Sequence, residues 1–188
     1  MEGDSHVHGS RTGEESGHLS DVLRNCVSLL SAGAGAIHFA VIQSHFEEYW
    51  VFGTFFAVFA WLQILWALLL IGRPTRPVAL AGIVINGVIA AVWVVSRTVG
   101  IPLGPESGTP EMAEYIDVIS TVLEVLAIVG ASALLLPRAT RRVVGRGLLV
   151  SSTVVVGMVV AVLTTTAIIS YSPDEKEIGA AAGAESGG

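Results

Sequence analysis

Charge is what this chain has least of. Only 14% of its 188 residues are Asp, Glu, Lys or Arg, against about 25% in an ordinary soluble domain. The charge that exists is clustered. Trp50–Gly72 carries none, and neither do residues 77–96 or 147–173. Lysine is scarcer still. The single one, Lys176, lies outside the apolar runs, which excludes a retinal Schiff base within them. The single cysteine, Cys26, has no partner for an intramolecular disulfide or a CxxC pair, and it reads as a small apolar residue near a helix end. The net charge of −6 argues against nucleic-acid binding, which rests on cationic side chains neutralising phosphates. There is no Walker loop, no G-x-G-x-x-G after a strand, no G-x-S-x-G and no H-E-x-x-H. Nothing in the motif content marks an enzyme.

What is present is apolar length. Crossing a hydrocarbon core of about 30 Å takes roughly 20 helical residues. In lipid the backbone finds no water, so a spanning segment is a helix or part of a closed barrel. These runs lack the period-two alternation of barrel strands. The sequence therefore predicts an all-α, polytopic membrane helix bundle with five transmembrane helices, at about 22–46, 50–72, 77–98, 110–136 and 147–171. Residues 1–21 read as a polar N-terminal tail without the regions of a signal peptide, and 172–188 as a polar, Gly/Ala-rich C-terminal tail. The first span contains Ser31-Ala32-Gly33-Ala34-Gly35-Ala36. Small residues at this spacing let helices approach closely in lipid.

Arginine sets the orientation. Arg73 and Arg76 lie in one loop, and Arg138, Arg141, Arg142 and Arg146 in another. Both loops are expected to be cytoplasmic, which places the N-terminus inside and the C-terminus outside a multi-pass plasma-membrane protein. Thr109 as cap, Pro110 at the first position, and Glu111 and Glu114 in the first turn predict that the fourth helix starts near 110.

Ionisable groups within spans are costly and usually face the bundle interior. Here their spacing is informative. His38 and His45 are seven residues apart, as are Asp117 and Glu124, so each pair shares a helix face. Asn86 and Arg97 share a face of the third span, with Trp93 close to it. His45 and Asp117 belong near the outer surface, and His38 and Glu124 roughly 10 Å deeper. Gln63 and Asn86 lie deeper too. The expectation is one extracytoplasmic-side polar site of His38, His45, Asp117 and Glu124, supported by Arg97, Glu47, Asn86 and Gln63.

Three chemistries fit these groups. Two imidazoles and two carboxylates suit a divalent metal such as zinc or copper. The same groups suit proton relay or a substrate-linked site. Alternatively, Arg97 pairs with Asp117 or Glu124 while the histidines bond to backbone, which is a purely structural arrangement. Bis-histidine haem ligation within one protomer is not expected, because His38 and His45 share a helix; a histidine with another haem ligand stays open. His6, His8 and His18 read as tail residues, and Thr164-Thr165-Thr166 as hydroxyls bonding back to their own helix.

The stretch Ile37-His38-Phe39-Ala40 with His45-Phe46-Glu47-Glu48-Tyr49-Trp50-Val51-Phe52-Gly53 resembles a motif of small multi-pass membrane proteins of high-GC Gram-positive (actinobacterial) type. Gln63 with Trp66-Ala67, and Ser96-Arg97-Thr98-Val99-Gly100-Ile101-Pro102-Leu103-Gly104-Pro105-Glu106, fit the same pattern. The resemblance covers about residues 30–136. It implies an integral membrane protein, puts emphasis on His38, His45 and Arg97, and brings no activity.

Three functions therefore compete. One is a protein that binds or transports a divalent metal. Another is a non-catalytic accessory or assembly subunit of a larger membrane complex, such as a respiratory one. The third is a proton-coupled transporter or membrane oxidoreductase using Glu124 and His38. The expected surroundings are the lipid bilayer, with a homo-oligomer or a larger complex as possible assemblies.

Overall fold

The computed structural model describes residues 16–137 and 143–171. Arg138, Arg141 and Arg142 of the expected inner loop, His6 and His8, and most of both tails lie outside that range. The described chain is an all-α bundle: α1 (Leu19–Glu48), α2 (Trp50–Gly72), α3 (Arg76–Thr98), α4 (Tyr115–Leu134) and α5 (Arg146–Ser170). One short antiparallel ladder joins β1 (Ser16–His18) to β2 (Val143–Gly145), pairing Ser16 with Gly145 and His18 with Val143. All five helices are long and apolar enough to cross a membrane.

Helix α1 is the axis of the bundle. It packs against α2, α4 and α5, while α3 closes against α4 and α2. The small-residue stretch makes this possible. A β-carbon at Gly33 would collide with Val160 of α5 and press on Thr164 and on Leu123 of α4. One at Gly35 would sit 3.2 Å from the Ala60 carbonyl of α2. Two glycines two residues apart thus face different neighbours, which is how one helix touches three. The core follows from this. Ala34, Ile37, Val41, Ile116, Leu123, Val160 and Ala167 form one buried cluster, and Val27, Trp66, Leu70, Ala127 and Ala131 form another.

The outward faces are apolar as well. Leu65 and Leu68 of α2, Val84 of α3, Val129 of α4 and Val155 and Met158 of α5 are all exposed. A bilayer satisfies such faces, and the few buried ionisable groups face the interior of an otherwise apolar bundle.

Two boundaries differ from the sequence expectation. Helix α1 begins at Leu19 and runs to Glu48, so its start absorbs residues expected in the tail. Helix α4 begins at Tyr115 rather than near Pro110. Glu111 donates its backbone N–H to the Ser96 carbonyl at 3.0 Å, and its carboxylate accepts from Arg97. These two ties draw the chain across the end of α3 and off the axis of α4. Glu114 then takes the capping position, its N–H donating to Asp117 Oδ2 at 3.3 Å. Tertiary partners override a good local start signal, and the helix starts five residues later than Pro110.

Candidate functional site

One end of the bundle gathers the C-terminal ends of α1 and α3 and the N-terminal ends of α2 and α4. Within it lies a partly open cavity of about 210 Å³. Its walls are largely apolar and aromatic. Ile37 and Val41 line it from α1, Phe52, Phe55 and Phe56 from α2, and Ile89, Val92 and Trp93 from α3. The connection between α3 and α4 covers it with Ile101 and Leu103. That connection turns sharply at Gly100, whose φ of 74° falls in the left-handed region, and Gly108 closes back by an N–H to the Ile101 carbonyl at 3.0 Å.

The cavity floor is polar. His38 of α1 and Glu124 of α4 meet there, with Nε2 and Oε1 2.7 Å apart. Both are buried, at 4% and 1% exposure. Ser120 Oγ, one turn before Glu124, lies 3.3 Å from the same imidazole nitrogen. Beneath them Gln63 of α2 donates from Nε2 to Glu124 Oε1 at 3.3 Å and to Asn86 Oδ1 of α3 at 3.1 Å. Asn86 in turn donates from Nδ2 to the Gly82 carbonyl at 2.8 Å, which fixes which way its amide faces. Four helices therefore contribute one connected network at the floor. A carboxyl at this depth is costly unless it is partnered. Oε1 is partnered twice. Oε2 of Glu124 is buried with no hydrogen-bond partner, and so is Oε1 of Gln63.

A second polar group sits at the mouth. Arg97 forks between Glu111 of the covering connection and Asp117 of α4, and also donates to Ser96 Oγ at 3.1 Å. Its guanidinium carbon lies 5.9 Å from the centre of the Trp93 ring. This clamp ties the connection to two helices. The buried Nε–H of Arg97 and the Nε1–H of Trp93 have no acceptor.

The expected site residues thus divide. His38 and Glu124 come together, and Gln63 and Asn86, expected deeper as supporting residues, join Glu124 from below, with Gln63 bonding to both. Arg97 and Asp117 pair with each other, one level up. His45 joins neither group. Its Nδ1 lies 2.8 Å from the Val41 carbonyl of its own helix, so that nitrogen donates, and its ring packs 4.1 Å from Phe56. Glu47 is exposed and accepts from Gln43 at 3.0 Å. The expected single cluster is in fact two polar groups separated by an aromatic-walled space. Ser120 carries no signal of its own, and Glu111 reads in the sequence only as part of a helix start, not as a partner of Arg97. Ser120 sits four residues before Glu124 on the carboxylate stripe, and only that position hinted at it. Thr166 bonds back to the Val162 carbonyl at 2.9 Å as expected, whereas Thr164 Oγ1 is buried without a partner.

Among the described residues no three His, Cys, Asp or Glu side chains gather closely enough to hold a metal ion. No family model, curated protein or solved structure matches this chain, so the site rests on its own geometry.

Proposed function

We propose that this chain is a multi-pass membrane protein that binds a small, largely apolar molecule in the cavity above His38 and Glu124. The observation that carries this is a partly open cavity of about 210 Å³ with an apolar, aromatic wall, seated above the buried His38–Glu124 pair. Pockets for small molecules have this composition, a hydrophobic lining with a few placed polar groups. With the arginine-rich loops taken as cytoplasmic, the cavity opens toward the extracytoplasmic side.

The divalent-metal alternative needs a third protein donor beside His38 and Glu124, since structural and catalytic zinc sites hold three or four. The accessory-subunit alternative draws on small size, small-residue helix faces and the absence of catalytic motifs, and the small residues of α1 are used in packing within this bundle. Neither has a specific observation in its favour. Transport and proton coupling would follow from the binding site only if it also opened to the other side.

Native mass spectrometry of protein released from its own membrane should show a small molecule retained, and a panel of small amphiphiles should raise the melting temperature. A ligand at one hundred times its Kd adds about 2.7 kcal/mol. Val41→Phe, which fills the space, should remove both effects. Protein that arrives empty and answers to no amphiphile would overturn the proposal, and stoichiometric zinc or copper on elemental analysis would favour the metal alternative.

A further inference from the structure

A second cavity, of about 300 Å³, lies at the other end of the bundle, where the first turns of α1 and α3 meet the last turns of α2 and α4. Its lining differs in kind. Leu70 and Ala79 are buried in its wall. Arg24 of α1 and Arg76 of α3 line it together with two hydroxyl residues, Ser20 and Thr75. Asp21 is the one carboxylate in the lining, and both of its oxygens are engaged. Oδ2 accepts the His18 N–H at 3.1 Å, and Oδ1 lies 3.3 Å from Arg24 Nη2. Arg24 has further donors on its planar fork, and its side chain stays 24% exposed. Arg76 is exposed and has no ion pair among the described residues. Two guanidinium groups beside one carboxylate leave the lining with one positive charge unmatched.

The start of α3 adds to this charge. Thr75 holds the capping position without a side-chain cap bond, so the first-turn N–H groups of Arg76 and Val78 take no acceptor from it. A helix start in that state favours an anion. Depth narrows the choice of anion. Helix α1 starts at Leu19 and α3 at Arg76, while α2 stops at Gly72 and α4 at Leu134. The ends of spans lie at the headgroup level of a bilayer, where phospholipids present their phosphates. Basic pockets between transmembrane helices take such headgroups, and the arginine fork matches phosphate oxygens in pairs.

We infer that this second cavity holds a phosphate group, with Arg24 and Arg76 as its cationic partners and Ser20 and Thr75 as hydroxyl donors. A phospholipid headgroup and a soluble phosphate share that chemistry. The site is separate from the cavity above His38 and Glu124 and does not depend on it.

The test uses the full chain, stripped of lipid in a neutral detergent, where no charged membrane surface attracts the arginines. Native mass spectrometry follows titration with dioleoylphosphatidylglycerol and with dioleoylglycerol, which lacks the phosphate. The first should bind saturably as a single copy and the second should not. Arg76→Gln removes an exposed cation without an ion pair, so the fold is kept, and it should weaken phosphatidylglycerol about tenfold or more, the worth of a charge-assisted hydrogen bond. Arg24→Lys keeps a cation for Asp21 but loses the fork, and it should weaken the lipid about two- to tenfold. Arg73→Gln, exposed in the same connection but outside the lining, should leave binding unchanged. Inorganic phosphate is then added as competitor. Displacement of the lipid would make the site one for soluble phosphates as well, and no displacement would make it a lipid headgroup site. Dioleoylglycerol binding as tightly as phosphatidylglycerol, an Arg73→Gln loss equal to that of Arg76→Gln, or no saturable binding at all would each overturn the inference.

Discussion

Replacing His38 and Glu124 singly and together should give strongly non-additive losses of stability. The two side chains come from α1 and α4, lie 86 residues apart in sequence, and meet at 2.7 Å with almost no solvent access. In His38→Leu, Glu124 keeps only the Gln63 amide at 3.3 Å. A buried polar group that loses its partner costs about 1–3 kcal/mol, and more when charged. In Glu124→Leu the imidazole keeps Ser120 at 3.3 Å, so the loss falls toward the lower end of that range. In the double variant two apolar side chains face each other, and such replacements of buried pairs are often close to neutral. Interhelical hydrogen bonds in membranes give coupling of about 0.6 kcal/mol on average, with a maximum near 1.7. This pair is short and nearly dry, so a coupling of about 1–2 kcal/mol is expected. The assay is reversible SDS-induced unfolding in mixed micelles, with helix content as the readout. Losses that add to within about 0.5 kcal/mol would mean that the residues do not interact, and the floor of the cavity would be wrongly drawn.

Other parts of the structure make separate claims. Gly33→Ala forces a methyl group against Val160 and should cost about 1–3 kcal/mol by overpacking; Val160→Ala in the same chain should recover most of it, and failure to recover would misplace α5. Gly100→Ala combines a φ of 74° with an added carbon 2.5 Å from the Gly108 and Thr109 backbone, so it should destabilise the covering connection by more than 1 kcal/mol, read as faster proteolysis at residues 99–114. Arg97→Gln should loosen the same connection, because it removes both ion pairs at once; hydrogen exchange at Glu111 that stays as slow as in the wild type would count against the clamp. Single cysteines at Glu106 and Thr75, in a Cys26→Ser background, should label from opposite sides of a sealed vesicle. Labelling from the same side would contradict the five-span topology.

Much of this architecture is legible in the sequence, for a physical reason. Lipid imposes a length of about 20 residues on every span and forbids unpaired backbone, so the uncharged runs predict the helices. The facing of His38 and Glu124 is half legible. Seven-residue spacing puts His38 and Asp117 or Glu124 on inward stripes, but nothing along one helix says which rung of the next it meets. Asp117 is taken by Arg97, which leaves Glu124 for His38. His45 shows the limit most clearly. It lies on the same stripe as His38, yet its ring bonds the Val41 carbonyl four residues back, a local partner that is always within reach of a helical side chain near the end of its helix. The start of α4 fails for the opposite reason, because a distant partner, the Ser96 carbonyl, outcompetes a well-formed local cap at Thr109. The sequence places Gln63 and Asn86 deep and in support of the site, and their direct bond to each other emerges once Gly35 and Gly82 bring the helices close.

Dipolar recoupling in membranes addresses the central juxtaposition without any substitution at the site. With the His38 ring labelled with nitrogen-15 and the Glu124 side-chain carboxyl with carbon-13, solid-state NMR should show direct transfer between the two nuclei, as required for an Nε2–Oε1 separation of 2.7 Å. Absence of that transfer, with the label on Asp117 or another carboxyl reporting instead, would separate α1 from α4 at this level and remove the floor on which the binding site stands.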